Sequence, residues 1–146
     1  MPPRPNRDEY FLSLLPLIAA RSTCARRKAA AIAVDEIGRV LGVGYNGQPR
    51  GWEPHCNEKE CSGARDPAGD THRCEACHAE INLILNTRDL DSIHTIYLSA
   101  SPCSACALAL CNLSNVRKVI YLEKYADGQG IDYLCRSNIL VEERRR

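Results

Sequence analysis

His78-Ala79-Glu80 and, further along, Pro102-Cys103-Ser104-Ala105-Cys106 decide how this chain is read. A histidine, a nearby glutamate and a Cys-x-x-Cys pair are the parts of a catalytic zinc site. Two thiolates and one imidazole are three ligands of the type zinc takes, and a tetrahedral ion then keeps a fourth position for water. The two thiolates also offset the charge of the ion, so Glu80 is free to move protons. Each stretch opens an apolar run with helical spacing. Residues 78–87 carry Ile81, Ile84 and Leu85, and residues 103–113 follow Pro102. Cys103 and Cys106 stand at i and i+3 and share one face of their helix. A helix start also favours thiolate over thiol.

The rest of the pattern surrounds these two helices. Residues 8–20 read as a helix that Asp8 can cap. Its wide apolar face holds Tyr10, Leu14 and Leu17 with Phe11, Leu15 and Ile18, and Pro16 should kink or end it. Residues 29–34 and 39–45 flank Asp35-Glu36-Ile37-Gly38 and read as a hairpin. Strands follow at 95–100, 118–122 and 139–141. A turn is expected at 126–130, a short helix at 131–136 and a solvated charged end at 142–146. The order α-β-β-α-β-α-β-α-β predicts an α/β fold in which helices cover a mixed sheet, with residues 1–146 as one domain.

The chain has 146 residues, enough to bury roughly 68–70% of its unfolded surface. Its formal net charge is +1, which predicts no nucleic-acid or membrane partner. There is no apolar run of membrane-spanning length and no signal-peptide pattern, since Asp8 and Glu9 precede the apolar stretch and Arg21 ends it. The expected location is the cytoplasm, of a bacterium or of a virus-infected host cell. Nine cysteines stand at 24, 56, 61, 74, 77, 103, 106, 111 and 135. The odd number and the interspersed histidines favour metal ligation and free thiols over disulfides. Cys77, Cys111 and Cys135 lie in apolar surroundings and read as core. Residues 46–77 have no clear period, and a structureless loop of that length calls for a function or a metal to pin it.

The combined motif is the signature of zinc-dependent nucleobase deaminases. Zinc lowers the pKa of a coordinated water to about 7. The chemistry this predicts is attack at C4 of a cytosine ring, with Glu80 protonating N3 and then carrying a proton to the leaving amine. A structural zinc knuckle would have four protein ligands and no use for Glu80.

Beyond the shared zinc motif, the chain resembles the deoxycytidylate (dCMP) deaminases within the cytidine deaminase superfamily. The resemblance rests on Arg21-Ser22-Thr23-Cys24, Gly44-Tyr45-Asn46-Gly47-Gln48-Pro49-Arg50-Gly51, Cys77-His78-Ala79-Glu80-Ile81-Asn82, Pro102-Cys103-x-x-Cys106 and Glu123-Lys124-Tyr125. It implies a three-layer α/β/α sandwich around a mixed five-stranded sheet and hydrolysis of dCMP to dUMP and ammonia, feeding thymidylate synthesis. It further implies a hexamer of like chains, activated by dCTP and inhibited by dTTP, with Mg²⁺ accompanying the regulatory nucleotide.

The Gly44, Gly47 and Gly51 positions suit close backbone approach to a ligand. Asn46 carries both donor and acceptor, suited to a deoxyribose 3′-hydroxyl. The resemblance places the 5′-phosphate against a basic residue after the first helix, Arg26 or Arg27, and against Tyr125. Some members also hold a structural zinc. Cys24, Cys56 and His72 match three of its ligand positions, with Cys74 or Cys61 as the fourth.

Two other readings use the same residues. One is a deaminase of tRNA adenosine or single-stranded DNA, which would want a basic groove and stacking aromatics. This chain has one Trp and one Phe. The other is a zinc-stapled interaction module without activity.

Overall fold

The computed structural model describes residues 1–67, 70–125 and 127–145. The first helix, α1, spans Arg7–Ala19. Its cap is Asn6, whose side chain accepts from Glu9 N at 2.9 Å while Glu9 accepts from Asn6 N at 2.8 Å. This reciprocal pair satisfies two free amides at once. Asp8, the cap expected from the sequence, lies inside the first turn and accepts from Tyr97 Oη at 2.8 Å. Pro16 neither ends the helix nor prevents its last turn, where Ala20 N donates to Pro16 O. The buried face is narrower than expected: Phe11, Leu12, Leu15 and Ala19 are buried, and Tyr10 and Leu17 are exposed.

Five strands form one sheet: β1 (Ala30–Val34), β2 (Val40–Tyr45), β3 (Thr95–Ala100), β4 (Lys118–Glu123) and β5 (Leu140–Glu143). Their order is β2-β1-β3-β4-β5. β1 pairs antiparallel with β2 and β3, whereas β3–β4 and β4–β5 are parallel. The parallel pairs are joined through α3 (Ser104–Cys111) and α4 (Gln129–Arg136), as parallel strands require. α4 starts at Gln129, inside the expected turn at 126–130; Ala126 of that turn lies outside the described residues, as does Arg146 of the charged end.

Strand alternation makes the three layers. Ile32, Val34, Tyr97 and Ile120 pack with Phe11, Leu12 and Leu15 of α1. Ala31, Ala33, Ile96, Leu98, Val119 and Tyr121 point the other way, into a cluster with Leu83 of α2 (Ala79–Asn86), Leu110 of α3 and Leu134 of α4. Each large apolar side chain so buried contributes about 1.5–3 kcal/mol. The α2 face also differs from expectation. Leu83 is its buried leucine, and Leu85 points to solvent. Cys135 is exposed and Cys77 and Cys111 are half-buried, so none of the three is a fully enclosed core residue.

α2 rides directly on β2. A Cβ on Gly44 would sit 2.9 Å from Leu83 Cα and would overlap Ala79 O, so this close approach is to helix backbone and not to a ligand. Asn82 Nδ2 donates to Tyr45 O at 2.7 Å and Asn86 Nδ2 to Val43 O at 3.3 Å, covering carbonyls along the sheet edge.

The topology gathers four chain segments at one edge. β3 and β4 end there, β1 starts there, and β2 ends there with Tyr45 opposite Ala30. Ligands collect at the carboxyl ends of strands in sheets of this kind. Among the described residues no helix is long and apolar enough to cross a membrane.

Candidate active site

His78 and Cys103 are the cap residues of α2 and α3, with extended backbone immediately before each helix. Cys103 Sγ accepts from Cys106 N at 3.5 Å, so one ligand atom also caps its own helix. His78 Nδ1 lies 3.5 Å from Cys103 Sγ and 3.4 Å from Cys106 Sγ. All three ligand atoms lie within 4.8 Å of one another, and this is the one such group of three among the described residues. A tetrahedral zinc with Zn–S of about 2.3 Å and Zn–N of about 2.0–2.1 Å sets its N···S edges at about 3.5 Å. The donor set and its spacing therefore fit zinc.

Charge in the triangle is already arranged for an ion. The hydrogen bond from Cys106 holds Cys103 well below the usual thiol range, with His78 assisting. His78 is raised in turn by its contact with Cys103, against the opposing effect of burial. Cys106, sharing its proton with Cys103, is raised. Glu80 sits in the first turn of α2 and is 8% exposed. Burial pushes its carboxyl above the ordinary range, and the neighbouring His78 partly opposes this. A carboxyl whose pKa is raised toward the working pH is better suited to take and give a proton during a reaction.

His78, Cys103 and Glu80 open into a cavity of about 400 Å³ that also touches Asn46, Arg27, Ser99, Ser101 and Tyr125, with Cys106 buried behind them. This volume falls in the range of small-molecule sites. Asn46 is 8% exposed. Its Oδ1 accepts from Ser22 Oγ at 2.7 Å and Ala29 N at 2.8 Å, and its Nδ2 donates to Arg27 O at 2.7 Å. Three of its four hydrogen-bonding capacities hold the 22–29 segment in place, which leaves one N–H for the cavity.

The two arginines divide their work. Arg26 donates to the carbonyls of Gly63, Asp66, Pro67 and Asp70 at 2.8–3.3 Å and so clamps the loop that forms one cavity wall. Arg27 lies with its Cζ 5.5 Å from the Tyr125 ring centroid and bonds Glu123 Oε2 at 3.2 Å. Tyr125 is itself held by its N–H to Ser101 Oγ at 2.7 Å. Sequence reasoning assigned no role to Ser101 or to the Arg26 clamp. Neither contact is local in the chain, and no spacing announces them.

The surplus cysteines behave differently. Cys24 and Cys56 are buried, and Cys61 N–H reaches Cys56 Sγ at 3.5 Å. Burial raises the Cys74 thiol, and charge on Cys24 and Cys61 adds to this. His72 is exposed, and its N–H caps back to Asp70. His55 Nδ1 is buried with no partner among the described residues. Cys24 lies after α1 and the others in the 46–77 loop, and among the described residues they do not converge to ligand spacing as the His78 triangle does.

Comparison with known proteins gives the same picture. Residues 5–123 match the family model described as the cytidine and deoxycytidylate deaminase zinc-binding region. The deoxycytidylate deaminase of Mycobacterium phage D29 is 38% identical over 124 residues, covering 81% of this chain and 95% of that protein. The Saccharomyces cerevisiae deoxycytidylate deaminase is 31% identical over 96% of this chain, which spans 45% of that longer enzyme. Among solved structures, a dCMP deaminase from the cyanophage S-TIM5, crystallised with dCMP and dUMP, superposes with a TM-score of 0.76 at 27% identity. That match covers 98% of this chain and all of the phage chain. With its metal triangle and buried glutamate at two helix starts, and its sequence matched through the whole zinc-binding region, this chain belongs to the cytidine and deoxycytidylate deaminase family.

Proposed function

We propose that the chain is a zinc-dependent hydrolase that converts dCMP to dUMP and ammonia. The observation that carries this reading is a single cavity with His78 and Cys103 of the metal-ligand triangle and Glu80 in its wall, and with Arg27 and Tyr125 lining it as well. The likeness to the phage D29 enzyme and to the cyanophage enzyme that holds dCMP and dUMP supports it.

Zinc, when bound, supplies an acidified water as nucleophile. The protein does the rest. Glu80 accepts a proton, delivers one to N3 of the ring, and passes one to the departing amine at C4. Its burial raises its proton affinity, which suits it to this shuttling. Asn46 turns its remaining N–H toward the sugar. Arg27 meets the phosphate, with Tyr125 flanking its guanidinium. Arg26 is already committed to loop carbonyls, so of the two arginines Arg27 is the phosphate contact.

Ammonia release from deoxycytidine and dCMP tests the reading. Wild type should prefer dCMP, and Arg27→Ala should erase most of that preference; equal rates on the two would defeat it.

We further propose a second zinc that ties the 46–77 loop to the segment after α1, with ligands drawn from Cys24, Cys56, Cys61 and Cys74. The burial of Cys24 and Cys56 and the Cys61–Cys56 contact support it, while the exposure of His72 argues against that residue as ligand. Metal analysis should return about two zinc per chain. Exposed Leu85 on α2 and Leu108 on the adjoining α3 support assembly with further copies, a hexamer by resemblance. Regulation by dCTP and dTTP with Mg²⁺, and a place in thymidylate supply, rest on the resemblance alone. The nine free thiols support a reducing cytoplasm.

A further inference from the structure

Arg27 does not meet the cavity alone. Its Nη2 bonds Glu123 Oε2 at 3.2 Å. The Glu123 side chain is 74% exposed against 40% for Arg27, so the carboxylate holds the solvent side of the guanidinium. Arg26 and Arg27 are the cations that line the cavity among the described residues, and Arg26 is occupied by loop carbonyls. A guanidinium has five N–H groups, and the Glu123 contact is the one hydrogen bond of the Arg27 side chain among the described residues. An anion in the cavity thus finds free donors on the inner side of Arg27 and a fixed negative charge on the outer side. Glu123 is anchored, not a loose surface residue. It closes β4, its backbone pairs with Ala100, and its carbonyl accepts from Ser101 N at 2.8 Å.

We propose that Glu123 is a specificity-determining residue that limits the anion accepted at Arg27 to a single phosphate group. The proposal rests on the reading of Arg27 as the phosphate contact. One phosphate at Arg27 would be met by the donors that Glu123 leaves free. Each further phosphoryl group extends outward past Glu123 and meets a like charge. At such exposure one like-charge contact weakens binding about fivefold, not by orders of magnitude. The residue therefore tunes discrimination among substrates and takes no part in moving protons.

The test compares kcat/KM of the zinc-loaded enzyme for deoxycytidine, dCMP and dCTP in wild type and Glu123→Gln, at low and at high salt. The expected result is a rise of about fivefold in the dCMP-to-deoxycytidine ratio and a larger rise in the dCTP-to-deoxycytidine ratio, both entering through KM. Both gains should shrink to below about twofold near 1 M salt, where charges are screened within about 3 Å. Glu123→Ser should give the same ratios, because it removes the charge by a different route. Unchanged ratios, a change carried by kcat, a gain insensitive to salt, or disagreement between the two variants would each overturn the proposal. If wild type itself shows no preference for dCMP and Arg27→Ala alters nothing, the phosphate reading fails, and the role of Glu123 falls with it.

Discussion

His78 Nδ1 and Cys106 Sγ stand 3.4 Å apart, although 28 positions separate the two residues in the chain. The distance follows from topology. α2 and α3 begin at the same edge of the sheet, with His78 and Cys103 where the chain turns from extended backbone into a helix and Cys106 in the first turn of α3. The metal triangle is therefore an end-to-end contact between two helix starts, and it depends on what holds those starts together.

Glu80→Gln should retain zinc and fold and lose turnover by about 10²–10⁴-fold, the range for a positioned proton carrier. The amide keeps the shape of the side chain but cannot cycle a proton. Metal analysis, circular dichroism and an ammonia assay on one preparation check this. Retained turnover would remove Glu80 from the reaction.

Gly130→Ala should loosen the metal site from the far side. Gly130 lies in the first turn of α4, against the backbone that carries Cys103. An added Cβ would overlap Pro102 O and come within 3.0 Å of Cys103 O. The expected cost is about 1–3 kcal/mol of stability, together with faster zinc loss to a chelator. A variant with wild-type melting and unchanged zinc release would show that the Cys103 segment has slack.

Arg26→Ala should free the loop carrying Gly63, Asp66, Pro67 and Asp70, since four carbonyls lose their shared donor. Faster limited proteolysis within 63–70 and a higher KM are expected. Arg26→Lys should recover only part of the loss, because a compact ammonium cannot spread planar donors over four acceptors. Full recovery by lysine would reduce the clamp to a simple charge effect.

Asn46→Asp keeps both acceptors for Ser22 and Ala29 but places an oxygen against Arg27 O, where a donor now sits at 2.7 Å. The expected stability loss is about 1–3 kcal/mol. KM should rise as well, because the N–H that faces the cavity is also gone. Thermal melting and kinetics together separate the two effects; an unchanged melting temperature would contradict the network drawn here.

Much of this was legible before any coordinates. The two zinc segments carry their own local signals, a ligand triplet and helix-start chemistry, and the strands expected at 95–100 and 118–122 announce themselves through mostly apolar runs. What the sequence hid is what distant segments settle. Arg26 and Arg27 are neighbours of one type, and only the placement of the carbonyls of Gly63, Asp66, Pro67 and Asp70 decides which guanidinium is consumed. Asp8 and Asn6 are both acceptable caps, and contact with Tyr97 draws Asp8 to the sheet. Leu83 and Leu85 are chemically equal, and the bare backbone at Gly44 determines which of them α2 buries. Cys135 looks like a core thiol by composition, yet its place on α4 turns it to solvent.

The asparagines of α2 carry a consequence for how this sheet behaves in a crowded solution. With the main-chain oxygens of Val43 and Tyr45 already engaged, the β2 rim gives a stray extended peptide little to zip onto. The opposite rim, β5, is where unwanted growth of the sheet would begin, and a proline or lysine introduced along its outer side is the place to suppress it.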